Sequence, residues 1–186
     1  MHNLPRLAEL IRSRNTVENN IAHLIEHPVN IGSVGDYIAS TIFGITLIES
    51  ATHKEFAGIF AQEPLVGKSV DVQWHLRRDG DLSLKTDPSP DYYLVFAGPK
   101  PVPGMPHGYV TPWIIESVFL FDAKELLAAL RERGVQIGTR TSVIGQLWDR
   151  AEIFPVQRNT RLLLSDEQRR LLALFGGQAP GAGFRP

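Results

Sequence analysis

Asp71 is the lone carboxylate in the run Gly67-Lys68-Ser69-Val70-Asp71-Val72-Gln73-Trp74-His75, a β-branched, largely apolar stretch that reads as a strand. Positions i and i+2 of a strand share a face, so Asp71 and Gln73 point together while Val70, Val72 and Trp74 point the other way. The stretch Lys54-Glu55-Phe56-Ala57-Gly58-Ile59-Phe60 reads as a preceding strand, with Pro64 to Gly67 in the turn between them. Ala57 lies fourteen residues before Asp71, the length of one strand, a turn and an antiparallel return, which sets the two positions side by side. An acid at 57 would face Asp71. Two carboxylates that close repel unless a cation lies between them, and hard, oxygen-seeking Mg²⁺ suits such a pair. A metal held there activates water and stabilises charge on a phosphate. Position 57 carries alanine, so the pair is incomplete.

The surrounding elements follow from periodicity and punctuation. Leu7-Leu10-Ile11 and Ile21-Leu24-Ile25 have helical spacing and predict one or two amphipathic helices, broken near Ser13 to Thr16 and stopped by Pro28. Val34 to Phe43 predicts a second helix with Ser33 as N-cap and Gly44 as its stop, which puts Asp36 in the first turn. Ile45 to Ile48 reads as a short buried strand. Tyr92-Tyr93-Leu94-Val95-Phe96-Ala97 is apolar enough for a strand covered on both faces, and Lys100 to Pro112 is a proline- and glycine-rich loop. A strand at Ser117 to Phe121, a helix capped by Asp122 and running to Arg133, a short strand at Val135 to Ile137, and a last helix from Ser165 to about Phe175 complete the order. Residues 1–177 predict one α/β domain with a mixed sheet, and 178–186 a flexible C-terminal tail.

Four segments carry a resemblance: Gly32-x-x-Gly35-Asp36-Tyr37-Ile38-Ala39, Ala57-Gly58-x-Phe60, Gly67-Lys68-x-Val70-Asp71-Val72-Gln73-Trp74 and Asp91-Tyr92-Tyr93-Leu94-Val95-x-x-Gly98-Pro99. In this order they resemble the motifs of an uncharacterised bacterial family that is itself similar to the PD-(D/E)xK, or restriction-endonuclease-like, nucleases. The resemblance implies a three-layer α/β domain with a mixed central sheet flanked by helices. The implied activity is a DNA-acting endonuclease that uses Mg²⁺ or Mn²⁺ to hydrolyse phosphodiesters. It assigns Asp36 as the acid on the first core helix that helps hold the metal or its waters. Asp71 becomes the metal-ligating acid, with the Val72 carbonyl as an added ligand, and Ala57 stands where the catalytic Asp belongs. Gln73 occupies the usual lysine position. Gln can hydrogen-bond water but brings no positive charge, although some restriction enzymes carry Gln there.

Ala57 admits three readings: natural loss of activity, an acid moved to a nearby position, or a deliberate Asp-to-Ala change. Glu55 is the best-placed migrated acid, on the same strand face, ahead of Glu49 and His53. The resulting expectation is an endonuclease impaired at position 57, with a non-catalytic DNA- or protein-binding domain of the same fold as the alternative. Plain structural readings stand beside these. Acids are favoured in a helix's first turn, which accounts for Asp36 equally well, and a strand carboxylate at 71 can serve to block edge pairing.

At 186 residues and no cysteine, the chain needs no staples and excludes thiolate catalysis, Cys-ligated zinc and disulfides. No apolar run approaches the roughly 20 residues that cross a bilayer, so the reading is a soluble cytoplasmic protein without a membrane role. The formal charge of −1 gives no overall basic bias, so DNA affinity would rest on a local face. Lys54, Lys68, Arg77 and Arg78 lie near the candidate site and are its nucleic-acid-binding candidates. Two-fold DNA symmetry suggests a homodimer. No phosphate-binding glycine run or nucleophile elbow is present, and His23 with His27 is the only metal-like histidine spacing.

Overall fold

Every residue from Tyr92 to Ala97 is buried, and the remaining elements are arranged around this strand. The computed structural model describes residues 3–48, 56–100 and 111–177. In chain order the elements are α1 (Leu4–Ile25), α2 (Ile31–Phe43), β1 (Ile45–Leu47), β2 (Gly58–Phe60), β3 (Ser69–His75), β4 (Asp81–Leu82), β5 (Tyr92–Ala97), β6 (Ser117–Asp122), α3 (Ala123–Glu132), β7 (Thr141–Ser142), α4 (Gly145–Ala151), β8 (Glu152–Phe154) and α5 (Asp166–Ala173). Six strands form one sheet in the order β1-β2-β3-β5-β6-β8, and β4 with β7 forms a separate ribbon. β3 and β5 run parallel and the other pairs are antiparallel, so the domain is mixed α/β.

Alternation along the strands divides the core in two. Val70, Leu94, Phe96, Val118 and Leu120 pack with Ile38, Ala39, Ile42 and Phe43 of α2 and with Leu172 of α5. On the other face, Tyr93, Val95, Phe119 and Phe121 pack with Leu126, Leu127 and Leu130 of α3, Trp148 of α4, and Leu82 and Leu84. β5 contributes to both clusters, which is why its sequence is continuously apolar. The parallel β3–β5 connection requires a crossover. Here residues 76–91 supply it without a helix, and β4 and Leu84 cover the sheet face that a helix would otherwise cover.

Several terminal signals act at the expected residues. Gly44 ends α2 with φ +62°, a left-handed conformation that glycine adopts without strain. The Asp122 carboxylate accepts the Glu125 backbone N–H at 3.0 Å, and Ser165 with Gln168 forms a reciprocal capping box.

Other expectations are corrected. α1 is unbroken across Ser13 to Thr16, because both hydroxyls donate back to carbonyls of their own helix, Ser13 to Glu9 and Thr16 to Arg12. α2 starts three residues earlier than expected. Its N-cap is Asn30, whose side chain accepts the Ser33 backbone N–H at 2.9 Å. Val135 to Ile137 is not a strand; its apolar side chains pack against the α3 side of the core instead. Positions 178–186, the expected tail, and most of the loop expected from Lys100 to Pro112 lie outside the described residues. No helix among the described residues is long and apolar enough to cross a membrane.

Candidate functional site

β3 is the spine of the site. Its antiparallel register with β2 pairs Gly58 with Val70 and Ile59 with Ser69; Ala57 lies one residue beyond the end of β2, and the same register continued by one step would bring it opposite Asp71. Directly opposed residues of an antiparallel pair project to the same face. Ala57 is only 5% exposed, and its carbonyl accepts the Ile48 backbone N–H at 3.0 Å, which extends the β1–β2 ladder past the end of β2. The neighbouring Gly58 is required sterically, since a Cβ there would lie 2.5 Å from the Thr46 carbonyl oxygen. The strand can therefore pass β1 only with glycine at 58.

Asp71 is half-buried, its side chain 16% exposed. Lys85 Nζ lies 3.5 Å from its Oδ1, and Gln73 Nε2 donates to its Oδ2 at 3.2 Å. Burial raises its pKa above the usual carboxylate value; the Lys85 charge and the Gln73 hydrogen bond oppose that rise, and the negative charge of Asp36 adds to it. The site favours a neutral carboxyl or a nearby cation, and Lys85 is the cation present.

Gln73 is fully committed. Its Nε2 also donates to the Ser83 carbonyl at 2.6 Å, while its Oε1 accepts the Ser83 backbone N–H at 3.2 Å and faces His75 Nε2 at 3.1 Å. The Ser83 N–H fixes which amide atom is oxygen, so His75 must donate from Nε2. Two donors and two acceptor positions are thereby used. Burial holds the His75 pKa below its ordinary value, against the opposing charges of Asp79 and Asp81.

The other expected residues lie at varied distances from this centre. Asp36 is in the second turn of α2, not the first, because Asn30 is the cap. The helix-dipole account of Asp36 is weakened accordingly. α2 covers the opposite face of β3, with Gly35 packed against Trp74, and Asp36 of this helix is near enough for its charge to add to the raised pKa of Asp71. The Val72 side chain packs into the α2 layer, and its main chain belongs to a strand paired with β5 at Leu94.

Among the basic residues, Lys68 immediately precedes β3 and pairs with Asp91 at 3.4 Å. Arg77 and Arg78 follow the other end of β3, about 23 Å away for a seven-residue strand. Arg77 donates to the Thr111 hydroxyl at 3.0 Å. Arg78 is directed inward, its guanidinium 4.8 Å from the Phe119 ring centre and 5.7 Å from that of Trp148, with Asp149 at 3.5 Å. An 18% exposed side chain so placed acts in packing rather than on a phosphate backbone. Lys54, Glu49, His53 and Glu55 lie outside the described residues.

Lys85, Ser83 and Tyr93 are the site residues that sequence reasoning missed. Tyr93 lies beside Asp71 in the parallel register. Its hydroxyl accepts the Lys85 backbone N–H at 2.9 Å and donates to the Lys85 carbonyl at 3.1 Å, which fixes the segment that carries the ammonium. The alternation Leu82-Ser83-Leu84-Lys85 was the available signal, because it turns Ser83 and Lys85 to one side. Mg²⁺ takes near-octahedral oxygen ligation, commonly with one or two carboxylates. Here Ala57 offers no donor, Lys85 engages Asp71 and Gln73 is saturated, so the donor set as it stands does not fit that ion. Among the described residues, no three acidic or histidine side chains converge as a metal-binding group. The chain matches no protein-family model and no curated protein.

Proposed function

We propose that this is a restriction-endonuclease-like domain acting on DNA, built for phosphodiester hydrolysis with Mg²⁺ or Mn²⁺ and impaired in this chain at position 57. The observation that supports the reading is the β2–β3 register, which pairs Gly58 with Val70, the neighbours of a buried alanine and of a half-buried aspartate whose charge is disfavoured by burial. Asp36, felt electrostatically at Asp71 from α2, supplies the second acid of the plan. On the Asp71 side of the sheet, a cleft between α3 and the segment 86–92 is lined by Lys68, Lys124 and Arg131, with Asp91 and Asp122 beside them. Lys124 and Arg131, with Lys68 shared with Asp91, are the cations this reading assigns to a phosphate backbone in place of Arg78. A cytoplasmic protein acting as a homodimer on a two-fold-symmetric DNA site accords with this reading.

A second reading, a non-catalytic DNA-binding domain on the same fold, is favoured by the Lys85–Asp71 pair and by the saturation of Gln73. In that case Lys85 has taken over the charge balance that a metal would provide. Cleavage of linear and supercoiled DNA by the wild-type chain and by Ala57→Asp, with Mg²⁺ or Mn²⁺, separates the two. Metal-dependent cutting by Ala57→Asp that is abolished by adding Asp71→Ala supports the first reading. Salt-sensitive DNA binding with no metal requirement and no cutting by either protein supports the second.

A further inference from the structure

Residues 83–85 continue from β4, and two side chains of the sheet hold their main chain to the face that carries Asp71. The Gln73 amide donates to the Ser83 carbonyl at 2.6 Å and accepts the Ser83 N–H at 3.2 Å. Two residues on, the Tyr93 hydroxyl does the same for Lys85, accepting its N–H at 2.9 Å and donating to its carbonyl at 3.1 Å. Leu84 between them is buried, and its N–H donates to the Gly138 carbonyl. The main-chain polar groups of Ser83 and Lys85 are thus taken up by side chains rather than by a neighbouring strand. Position 85 gains a fixed backbone, yet its charged side chain stays 42% exposed while its partner Asp71 is only 16% exposed. Their 3.5 Å contact is longer than the roughly 2.7–2.9 Å of a tight charge-assisted bond. Asp71 orients the ammonium without enclosing it.

We infer that Lys85 binds a phosphate of the nucleic-acid backbone at this site, and that Gln73 serves to hold it there. The inference rests on the DNA reading above and departs from its metal-dependent form, because the donor set does not fit Mg²⁺ and the cation against Asp71 is an ammonium. An ammonium with three N–H donors on a flexible stem suits a phosphate oxygen, and a backbone fixed in advance lowers the ordering cost of binding. Thr86, the next residue, lines the cleft with Lys68, Lys124 and Arg131, so Lys85 stands where that group of cations meets Asp71. The two acids of the cleft are already engaged. Asp91 accepts the Ser69 N–H and hydroxyl and pairs with Lys68, and Asp122 caps α3 and pairs with Arg161. Gln73 fits the holding role in a way lysine would not, since a lysine at 73 has no acceptor for the Ser83 N–H.

The test is fluorescence anisotropy of the full chain with a labelled DNA duplex of about 20 base pairs, in EDTA, over a series of salt concentrations. Circular dichroism checks that each variant is folded. The wild-type chain should bind without a divalent ion. Lys85→Met should weaken binding about tenfold at low salt and make the slope of log affinity against log salt shallower by about one, the mark of one lost phosphate contact. Lys85→Arg keeps the charge and should keep the slope. Gln73→Leu removes no charge, yet it should flatten the slope as much as Lys85→Met while hydrogen exchange quickens at the Ser83 and Lys85 amides. Gln73→Asn, with a side chain one methylene shorter, serves the same purpose where the leucine does not fold. Lys85→Met with wild-type affinity and slope would overturn the inference and leave the DNA reading standing, and a full slope in folded Gln73→Leu would overturn the holding role. Binding that appears only with Mg²⁺ or Mn²⁺ would also overturn it, since the metal would then be the cation in use. A wild-type chain with no salt-dependent binding would remove the DNA reading and this inference together.

Discussion

Lys85 Nζ lies 3.5 Å from Asp71 Oδ1, and the two residues reach each other because the Tyr93 hydroxyl grips both the N–H and the carbonyl of Lys85. The ammonium lowers the pKa of Asp71 against a larger rise caused by burial. Replacing it with an uncharged chain of similar length, Lys85→Met, leaves the carboxylate half-buried with only Gln73 as partner. The Asp71 pKa should then rise further, followed by NMR titration of its carboxyl carbon. The Lys85 side chain is 42% exposed, so water screens the pair, and the stability loss at pH 7 should be about 1 kcal/mol. An unchanged Asp71 titration would show that the contact has no electrostatic weight.

Asp71→Asn should act in the opposite sense. A carboxyl whose folded pKa is raised above 3.8 binds protons more tightly in the folded chain. Its stabilising contribution is complete below the unfolded pKa and is lost as pH rises through the folded one. At pH 7 the ionised group is therefore a net cost, and the amide should leave the chain equal in stability or more stable, with the difference disappearing below about pH 4. Urea unfolding of both proteins at pH 7 and pH 4 measures it. Destabilisation confined to neutral pH would mean that the Lys85 pair outweighs burial.

His75 has the other sign. Its folded pKa is lowered, so as pH falls below about 6.5 the unfolded chain takes up a proton that the folded chain resists, and stability declines. That contribution is present above the unfolded value and is lost through the lowered folded one. His75→Gln should flatten the melting temperature between pH 7 and pH 5, and a wild-type curve of the same shape as the variant's would count against the assignment.

Arg78 should matter for folding and little for DNA. It is placed over Phe119 and Trp148, which themselves meet edge to face at 4.8 Å. Arg78→Ala removes both the cation–π contact and the packing of its stem, a loss of about 2 kcal/mol, measurable by urea unfolding. Lysine lacks the planar fork and should restore only part of it. Lys68→Ala should instead leave stability nearly unchanged and weaken any salt-dependent DNA binding. A reversal of these two phenotypes would return Arg78 to the nucleic-acid surface.

Much of the architecture was legible in local residue patterns. The unbroken apolar run of β5 announced a strand covered on both faces, and Gly44, Asp122 and Ser165 marked helix ends by chemistry that acts within a few residues. α4 and β8 were not legible. Gly145 to Ala151 is too short to show a helical period, and Glu152-Ile153-Phe154 ends at Pro155 before an alternation can develop. The N-cap of α2 was misplaced because Asn30 and Ser33 are both capping residues three positions apart, and only coordinates show which one accepts. The antiparallel β2–β3 pairing could be anticipated, since a hairpin is local. Lys85 on Asp71 and Arg78 over Phe119 depend on the path of the β3–β5 crossover and on contacts across the sheet, which no local pattern encodes.

Ala57→Asp is the most informative substitution. It places a carboxylate at a position 5% exposed and next to Gly58, whose partner Val70 precedes Asp71. Without divalent ions, the like charges and the burial should destabilise the chain by about 1–3 kcal/mol. Lys85 can neutralise only one of the two acids, and Gln73 has no donor left to offer. If the site retains the plan of a metal-dependent hydrolase, the new carboxylate adds to Asp71 and Asp36 the one ligand the wild-type chain lacks. Mg²⁺ or Mn²⁺ at about a hundredfold above its dissociation constant should then restore about 2.7 kcal/mol. The expected signature is a melting temperature that rises with metal concentration in Ala57→Asp, that does not rise in the wild-type chain, and that stops rising when Asp71→Asn is added. Isothermal titration of Mn²⁺ gives the same comparison without a DNA substrate, so it reads the site independently of catalysis. Destabilisation that no divalent ion relieves would mean that 57 and 71 border only a packed strand pair, and the nuclease reading would lose its support.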